Sequence, residues 1–410
     1  MNPVTSRRTF LAGTGALLAA PALGARMQAR QERSKERGAP LLLAIYLRGG
    51  ADFLNMVVPW KDPIYRSKRP TIALKEEDGL APLDADFALH PALAPLAPLW
   101  TSGKLAPVLC VGSPHPTRSH FDAQDFMERA APGERQVTSG WLNRYLAATK
   151  RDDESELRAI ALQTLLPRSM RGDYPALATP PGLTRELDEG TLTEFEDVYA
   201  AGDGMQGSSE EAGAVLESGR ATIETMRQLK ELLAGAEKSG VEGWPKGPFG
   251  ASLRNLASLA NANCGLEVAA VDYPGWDHHI RQGSTDGAQA RMLANYAASI
   301  AALCTALGPR LDNTLIVTMT EFGRTVAENG NNGSDHGRGG GMLLIGGGVR
   351  GGRIHGRWRG LDPKVLADGR DLPVTTDFRD VLAACLASRF GFVAPEGFFP
   401  DYEPGKLELF

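Results

Sequence analysis

Short apolar runs that end at glycine alternate along the chain with stretches whose apolar residues fall three or four apart. Residues 41–47, LLLAIYL, are apolar without a break and stop at Arg48-Gly49-Gly50, the pattern of a strand covered on both faces. LAPVLCVG at 105–112, LEVAAVDY at 266–273, NTLIVTMT at 313–320 and GMLLIGGG at 341–348 repeat it. Between the first two runs, HPALAPLAPLWTSGK sets Leu93, Leu96, Leu99 and Trp100 at helical spacing and halts at Gly103. Ser119, with Asp122 three residues on, predicts the N-cap of a helix SHFDAQDFMERAA. An alanine-rich stretch over 287–307 predicts a long helix, and DFRDVLAACLASRFG, capped by Thr376 and ended by Gly391, predicts the last one. Strands and helices in alternation predict an α/β fold, an open three-layer α/β/α sandwich. In such a sheet the chemistry gathers beyond the carboxyl ends of the strands. Residues 150–250 differ in texture, polar and turn-rich between short helical patterns, and read as a mostly helical insertion or cap.

The first residues change the picture of where this domain works. SRRTFLAGTGALLAAPALGA places Arg7-Arg8 before an apolar stretch softened by Gly and Thr and followed by small residues, an export signal over 1–29 with cleavage expected between Gly24 and Ala29. The stretch is shorter than the roughly 20 apolar residues of a spanning helix, so no transmembrane domain is expected. Paired arginines followed by Phe-Leu resemble the twin-arginine signal, which implies export in the folded state through the twin-arginine translocase and a periplasmic or extracellular location. A general secretory signal or an uncleaved anchor is the alternative. Residues 30–40, opening with RQERSKERG, read as a solvated linker, and 41–410 as the α/β domain with 150–250 as its cap. A net charge of −5 and the lack of a basic stripe argue against nucleic acid as a partner. The 4 cysteines are far apart, and buried free thiols are expected rather than a disulfide framework.

Acidic, imidazole and hydroxyl residues recur just after the predicted strands. Asp52 follows the first; Thr117, Ser119 and His120 follow the second; Asp277, His278 and His279 follow the third; Glu321 follows the fourth; and Asp335-His336 end a glycine-rich loop before the fifth. Carboxylate oxygen with imidazole nitrogen suits zinc, manganese or a similar divalent ion, whereas a calcium cage would be all oxygen. Asp52, Asp277, His279, Glu321 and His336 are the candidate ligands. Each has a plainer reading as a turn, salt-bridge or loop-capping residue, and His278 is expected to face away. Ser119 is the candidate nucleophile, with Thr117 in reserve; a metal beside its hydroxyl would favour ionisation and steady a transferring phosphoryl or sulfuryl group. His90 and His355 read as structural.

LRGGADFLNMVVP, LHPALAPLAPLW, HPTRSHFDAQDFME, GWDHH, TEFGRT and DHGRGGGMLLIGGG, in this order, resemble the bacterial family labelled domain of unknown function 1501 over residues 41–391. The resemblance implies twin-arginine export and an alkaline phosphatase-like fold, shared with sulfatases and cofactor-independent phosphoglycerate mutase. It implies Asp52 after the first strand, Ser119 as nucleophile at a helix start, Asp277 and His279 on a later loop, and His336 before the next strand. That pattern calls for an Asp-His pair where this chain has Glu321-Phe322, so one metal held by Asp277, His279 and His336 is better supported than two. A second, oxygen-rich site of Asp52, Ser119 and Glu321 would favour magnesium, manganese or calcium, or stand empty; Asp335 or Arg324 is available for the missing role.

The resulting expectation is an exported metal-dependent hydrolase of phosphate or sulfate esters. Ser119 attacks a small anionic ester, and Arg48, Arg118 or Arg324 steadies its charge. The alternative is a non-catalytic exported binding or assembly protein that keeps the fold, an unknown exported partner and one structural metal. A phosphoryl transferase or mutase is a third reading.

Overall fold

The computed structural model describes residues 39–182, 190, 192–194, 197, 210–234 and 242–410. The expected signal and most of the linker, over 1–38, lie outside the described residues. Among those described, the strands are β1 (Leu41–Arg48), β2 (Val57–Val58), β3 (Ala81–Pro82), β4 (Ala88–Leu89), β5 (Leu105–Gly112), β6 (Ala159–Ala161), β7 (Leu177–Ala178), β8 (Val268–Pro274), β9 (Thr314–Met319), β10 (Gly340–Gly346) and β11 (Thr376–Asp377). The 8-stranded central sheet has the order β11-β5-β10-β9-β1-β8-β6-β7, and β2, β4 and β3 form a small separate sheet. β1 pairs in parallel with both β8 and β9. β10 runs antiparallel to both β5 and β9. The carboxyl ends of β1, β5, β8 and β9 therefore meet the amino end of β10 along one edge of the sheet.

The uninterrupted apolar runs follow from burial on both sides. Leu41, Leu43, Ile45 and Leu47 of β1 belong to one core cluster, while Leu42, Ala44 and Tyr46 belong to the other. Successive side chains of a strand point to opposite faces, so a layer must cover each. α1 (His120–Arg129), α2 (Trp141–Ala148) and α6 (Phe378–Phe390) cover the second cluster. α3 (Glu210–Ala234), α4 (Pro248–Asn261) and α5 (Ala288–Leu307) cover the first. The expected α/β/α sandwich is the observed one. By length and composition α5 is apolar enough to cross a membrane. Here it buries Leu293, Tyr296, Ile300 and Leu303 against the sheet.

Local expectations differ from the structure in three places. The stretch after His90 forms a 3-10 helix, Pro91–Leu96, and then a short α-helix, Ala97–Thr101. Pro95 and Pro98 lack the N–H that an α-helix would use, and leucines three apart also line one side of a three-residue turn. Thr376 lies in β11, and the cap of α6 is Asp377, whose side chain accepts from the Arg379 N–H. Part of the region read as a cap is sheet: β6 pairs with β8 and β7 with β6 at the edge of the central layer. All 4 cysteines are free, and Cys110, Cys304 and Cys385 are buried.

Candidate metal centre

The strand ends bring His120, Asp277, His279 and His336 together. One ligand atom from each of His120, Asp277 and His336 lies within 4.8 Å of the others. His279 Nε2 joins them at 2.9 Å from His336 Nε2 and 3.0 Å from Asp277 Oδ1. His336 Nε2 is 3.2 Å from Asp277 Oδ1, and His120 Nε2 is 3.3 Å from Asp277 Oδ2. All three imidazoles thus turn the same nitrogen toward one carboxylate.

What lies behind each ring fixes its tautomer. His120 Nδ1 is 2.9 Å from Glu321 Oε1, His279 Nδ1 is 3.0 Å from Asp335 Oδ1, and His336 Nδ1 is 2.8 Å from the Arg118 carbonyl. A carboxylate or carbonyl oxygen only accepts, so each Nδ1 donates its proton outward. In the neutral ring that leaves a lone pair on every Nε2. Three lone pairs and a carboxylate then face one another at contact distance, an arrangement that repels itself until a cation or added protons enter. Nitrogen and oxygen donors in front, with hydrogen-bonded oxygens behind, are what a divalent ion such as zinc selects. The residues fit a metal ion.

The electrostatics agree. Burial raises the Asp277 carboxyl, but the hydrogen bond and charge of Arg324, with His279 and His336, outweigh it and bring the group to about 2. Its ligand oxygens are ionised throughout the neutral range. Burial lowers His336, with the charges of His120 and Arg324 acting in the same direction, which favours the lone pair. The hydrogen bond to Glu321 raises His120, so an incoming ion there competes with a proton but meets a more basic nitrogen.

The glycines let these loops close over one another. A Cβ on Gly49, whose φ is +119°, would lie 2.6 Å from the Asp277 nitrogen, and one on Gly333 would lie 2.4 Å from the His279 carbonyl carbon. Asn329 then fastens the glycine loop to the cluster: its side-chain amide donates to the His279 carbonyl and to Asp335.

Other expected site residues lie elsewhere. Asp52 is in a buried network in which Arg69 donates to both of its oxygens, at 2.6 and 3.1 Å, and Gln282 adds a third bond. Glu321 stands behind His120 rather than beside Asp277, accepting also from Gln124 and the Gly49 N–H. Arg324 is fully buried and spends its donors on the carbonyls of Gly49, Gly50, Trp276 and Ser334 and on Asp277. Arg48 is paired with Glu128 and Asp272, and Arg118 with Asp368 and Asp371. Among the described residues Arg281 and Arg338, each two positions beyond a histidine of the cluster, have no carboxylate partner. Ser119 is exposed at the N-cap of α1 and its side chain makes no capping bond. His278 is buried off the cluster, and burial with the Arg324 charge lowers it to about 4. His90 caps the turn after β4, accepting from the Ala92 N–H.

Sequence reasoning placed His120 beside the site but did not select it. Its position one residue after Ser119, at the first turn of the helix that follows a strand end, was the available signal. A consequence separates the two shells. Glu321→Gln and Asp335→Asn are expected to weaken metal binding by about 10–100-fold without abolishing it. Competition with a chelator of known affinity measures this.

Among solved structures, the chain is similar to the C-terminal periplasmic domain of EcEptC from Escherichia coli in complex with Zn, at 11% identity and a TM-score of 0.37, covering 76% of this chain and 74% of that one. It is similar to the PsFucS1 sulfatase from Pseudoalteromonas sp., at 11% identity and a TM-score of 0.36, covering 90% and 72%. No curated protein matches the sequence. The family described as "Protein of unknown function (DUF1501)" matches residues 39–396.

Proposed function

We propose, from the premise that the chain belongs to the DUF1501 family, that it is an exported metal-dependent hydrolase of phosphate or sulfate esters with one divalent ion, zinc or manganese. The observation that carries the metal is the convergence of three Nε2 lone pairs on Asp277, with His279 and His336 Nε2 only 2.9 Å apart. A divalent ion held there supplies a Lewis acid next to the helix start that carries Ser119. The chain's own residues do the rest. Asp277, His279, His336 and His120 hold the ion, Glu321 and Asp335 orient two of the rings, and Arg324 ties the Gly49-Gly50 turn to Asp277. The partly exposed ligands, from 22% for the His336 side chain to 41% for Asp277, leave an approach from solvent. Ser119 Oγ forms the new bond to phosphorus or sulfur as the bond to the alcohol oxygen breaks, its proton leaves to solvent and the alcohol takes one up. Water then displaces the serine. Arg281 and Arg338, which have no carboxylate partner among the described residues, are better candidates to meet the anion than the carboxylate-paired Arg48, Arg118 or Arg324, although Arg338 also donates to the Pro114 carbonyl. Export in the folded state through the twin-arginine pathway, with the signal over 1–29 removed, would let the protein acquire its metal before translocation.

The second reading, an exported binding protein with a structural metal, is favoured by the pairing of Asp52 with Arg69. It leaves no room for a second ion at that position. The test is a screen of zinc- and manganese-loaded protein against aryl phosphates, diesters and sulfates, with Ser119→Ala alongside. Turnover that Ser119→Ala reduces to background, at unchanged metal content and melting temperature, supports the hydrolase. Metal-loaded protein inert toward all of them supports the binding protein.

A further inference from the structure

Among the described residues, the large apolar side chains left exposed are Phe121 at 90%, Leu165 at 71%, Ile280 at 62% and Val393 at 79%. Single exposed apolar residues are ordinary, and only their placement is informative. Phe121 directly follows His120, and Ile280 directly follows His279. Leu165 leaves the sheet at the same edge, four residues beyond β6, where Gln163 donates both to the Leu165 carbonyl and to Asp272 of β8. Three of the four thus belong to the edge that carries the ligands. Val393 alone lies beyond the far end of α6.

We infer that the substrate of this site carries an apolar organic group, which lies against Phe121 and Ile280 while its polar group reaches the imidazole cluster. The inference rests on the ester-hydrolase reading and adds the substrate's class to it: esters of alkyl or aryl alcohols rather than of sugars or other polyols. A small amphiphile suits the arrangement better than a second copy of the chain. A buried aromatic side chain covers about 150–250 Å², so this handful falls short of the roughly 800 Å² per partner of a stable protein interface. Phe121 and Ile280 also adjoin, along the chain, two histidines of a charged cluster, and a protein partner covering both would have to desolvate it. A molecule with one polar end and one apolar end satisfies both parts.

The test uses inert anions on the full metal-loaded chain. Octanesulfonate and methanesulfonate share a headgroup and contain no ester bond, so titration calorimetry reads binding without turnover. Octanesulfonate is expected to bind at least about tenfold more tightly, because several methylenes leave water. Phe121→Ser and Ile280→Ser are each expected to remove about fivefold of that advantage, leaving methanesulfonate affinity and metal content unchanged, while Val393→Ser changes nothing. Equal affinity for the two anions, or an octyl preference that survives both substitutions, overturns the inference and leaves the hydrolase reading standing. A dimer in sedimentation that both variants dissociate, with anion binding unaltered, overturns it in favour of a second copy. Failure of either anion to bind removes the inference together with the anion site it rests on.

Discussion

His336→Ala is expected to release the metal. Wild-type protein should hold about one equivalent of zinc or manganese, the number a single set of three imidazoles and one carboxylate accommodates. The variant should bind with an affinity lower by on the order of a thousandfold, beyond the range for outer-shell changes. His336 merits first choice because its Nε2 touches both His279 Nε2 and Asp277 Oδ1, and its ring lies edge-on to His120 at 4.3 Å. Deleting it removes the ligand that joins the other three. The metal-free forms sharpen the test. Without an ion the wild-type lone pairs repel one another, so metal-free His336→Ala should be at least as stable as metal-free wild type. Only the wild type should then gain stability on adding metal, by about 2.7 kcal/mol at a hundredfold excess over the dissociation constant. A network that is merely structural reverses this order, with the variant less stable in both conditions. The pH dependence has a definite sign. Asp277, at about 2, keeps its charge in mild acid, while protons compete for the imidazole nitrogens, so affinity falls as pH falls. Elemental analysis and thermal melts with and without chelator check each arm.

The frame of the molecule was legible because it rests on burial. β1, β5, β8, β9 and β10 are covered on both faces, and continuous apolar runs ending at glycine are what that environment selects. Their order also told which loops share an edge, so Asp52, Asp277, His279, Glu321 and His336 could be placed together without coordinates, while the narrower set of Asp277, His279 and His336 came from the family resemblance. Direction was not legible. Glu321 and Asp277 both follow strand ends, yet one points behind a histidine and the other in front of three of them. A one-dimensional pattern cannot separate a ligand from the residue that orients a ligand. His120 was masked by its neighbour, because Ser119 accounted for the same helix start. Arg324, placed like a substrate-binding cation, is a clamp on four carbonyls because the turns of Gly49 and Trp276 close around it. Asp52 was read as a ligand because nothing in the irregular stretch of 57–90 announces that Arg69 folds back onto it.

That pair supports the last prediction. Arg69→Met is expected to destabilise the protein by about 3–5 kcal/mol, the cost of stranding one partner of a buried ion pair. The Arg69 side chain is fully buried and Asp52 is nearly so, at 2.6 Å. The guanidinium also serves Asn55 Oδ1 and the carbonyls of Thr325 and Val326, so a thioether leaves several acceptors dry together with a charged carboxylate. Asp52→Asn should cost less, since a neutral amide still accepts from Arg69, and the double variant should lose less than the two single losses combined because the pair is one unit. Denaturant unfolding of the metal-free protein measures these differences. The decisive quantity is metal content. Asp52 reaches the loops of the cluster indirectly, through Gln282, which also accepts from the Ser334 hydroxyl, and through Arg69, which donates to the Thr325 and Val326 carbonyls. Asp52→Asn should therefore keep its full equivalent of metal while losing stability. Loss of metal with stability intact would return Asp52 to the ligand set and make Arg69 its stand-in cation, displaced when a second ion binds.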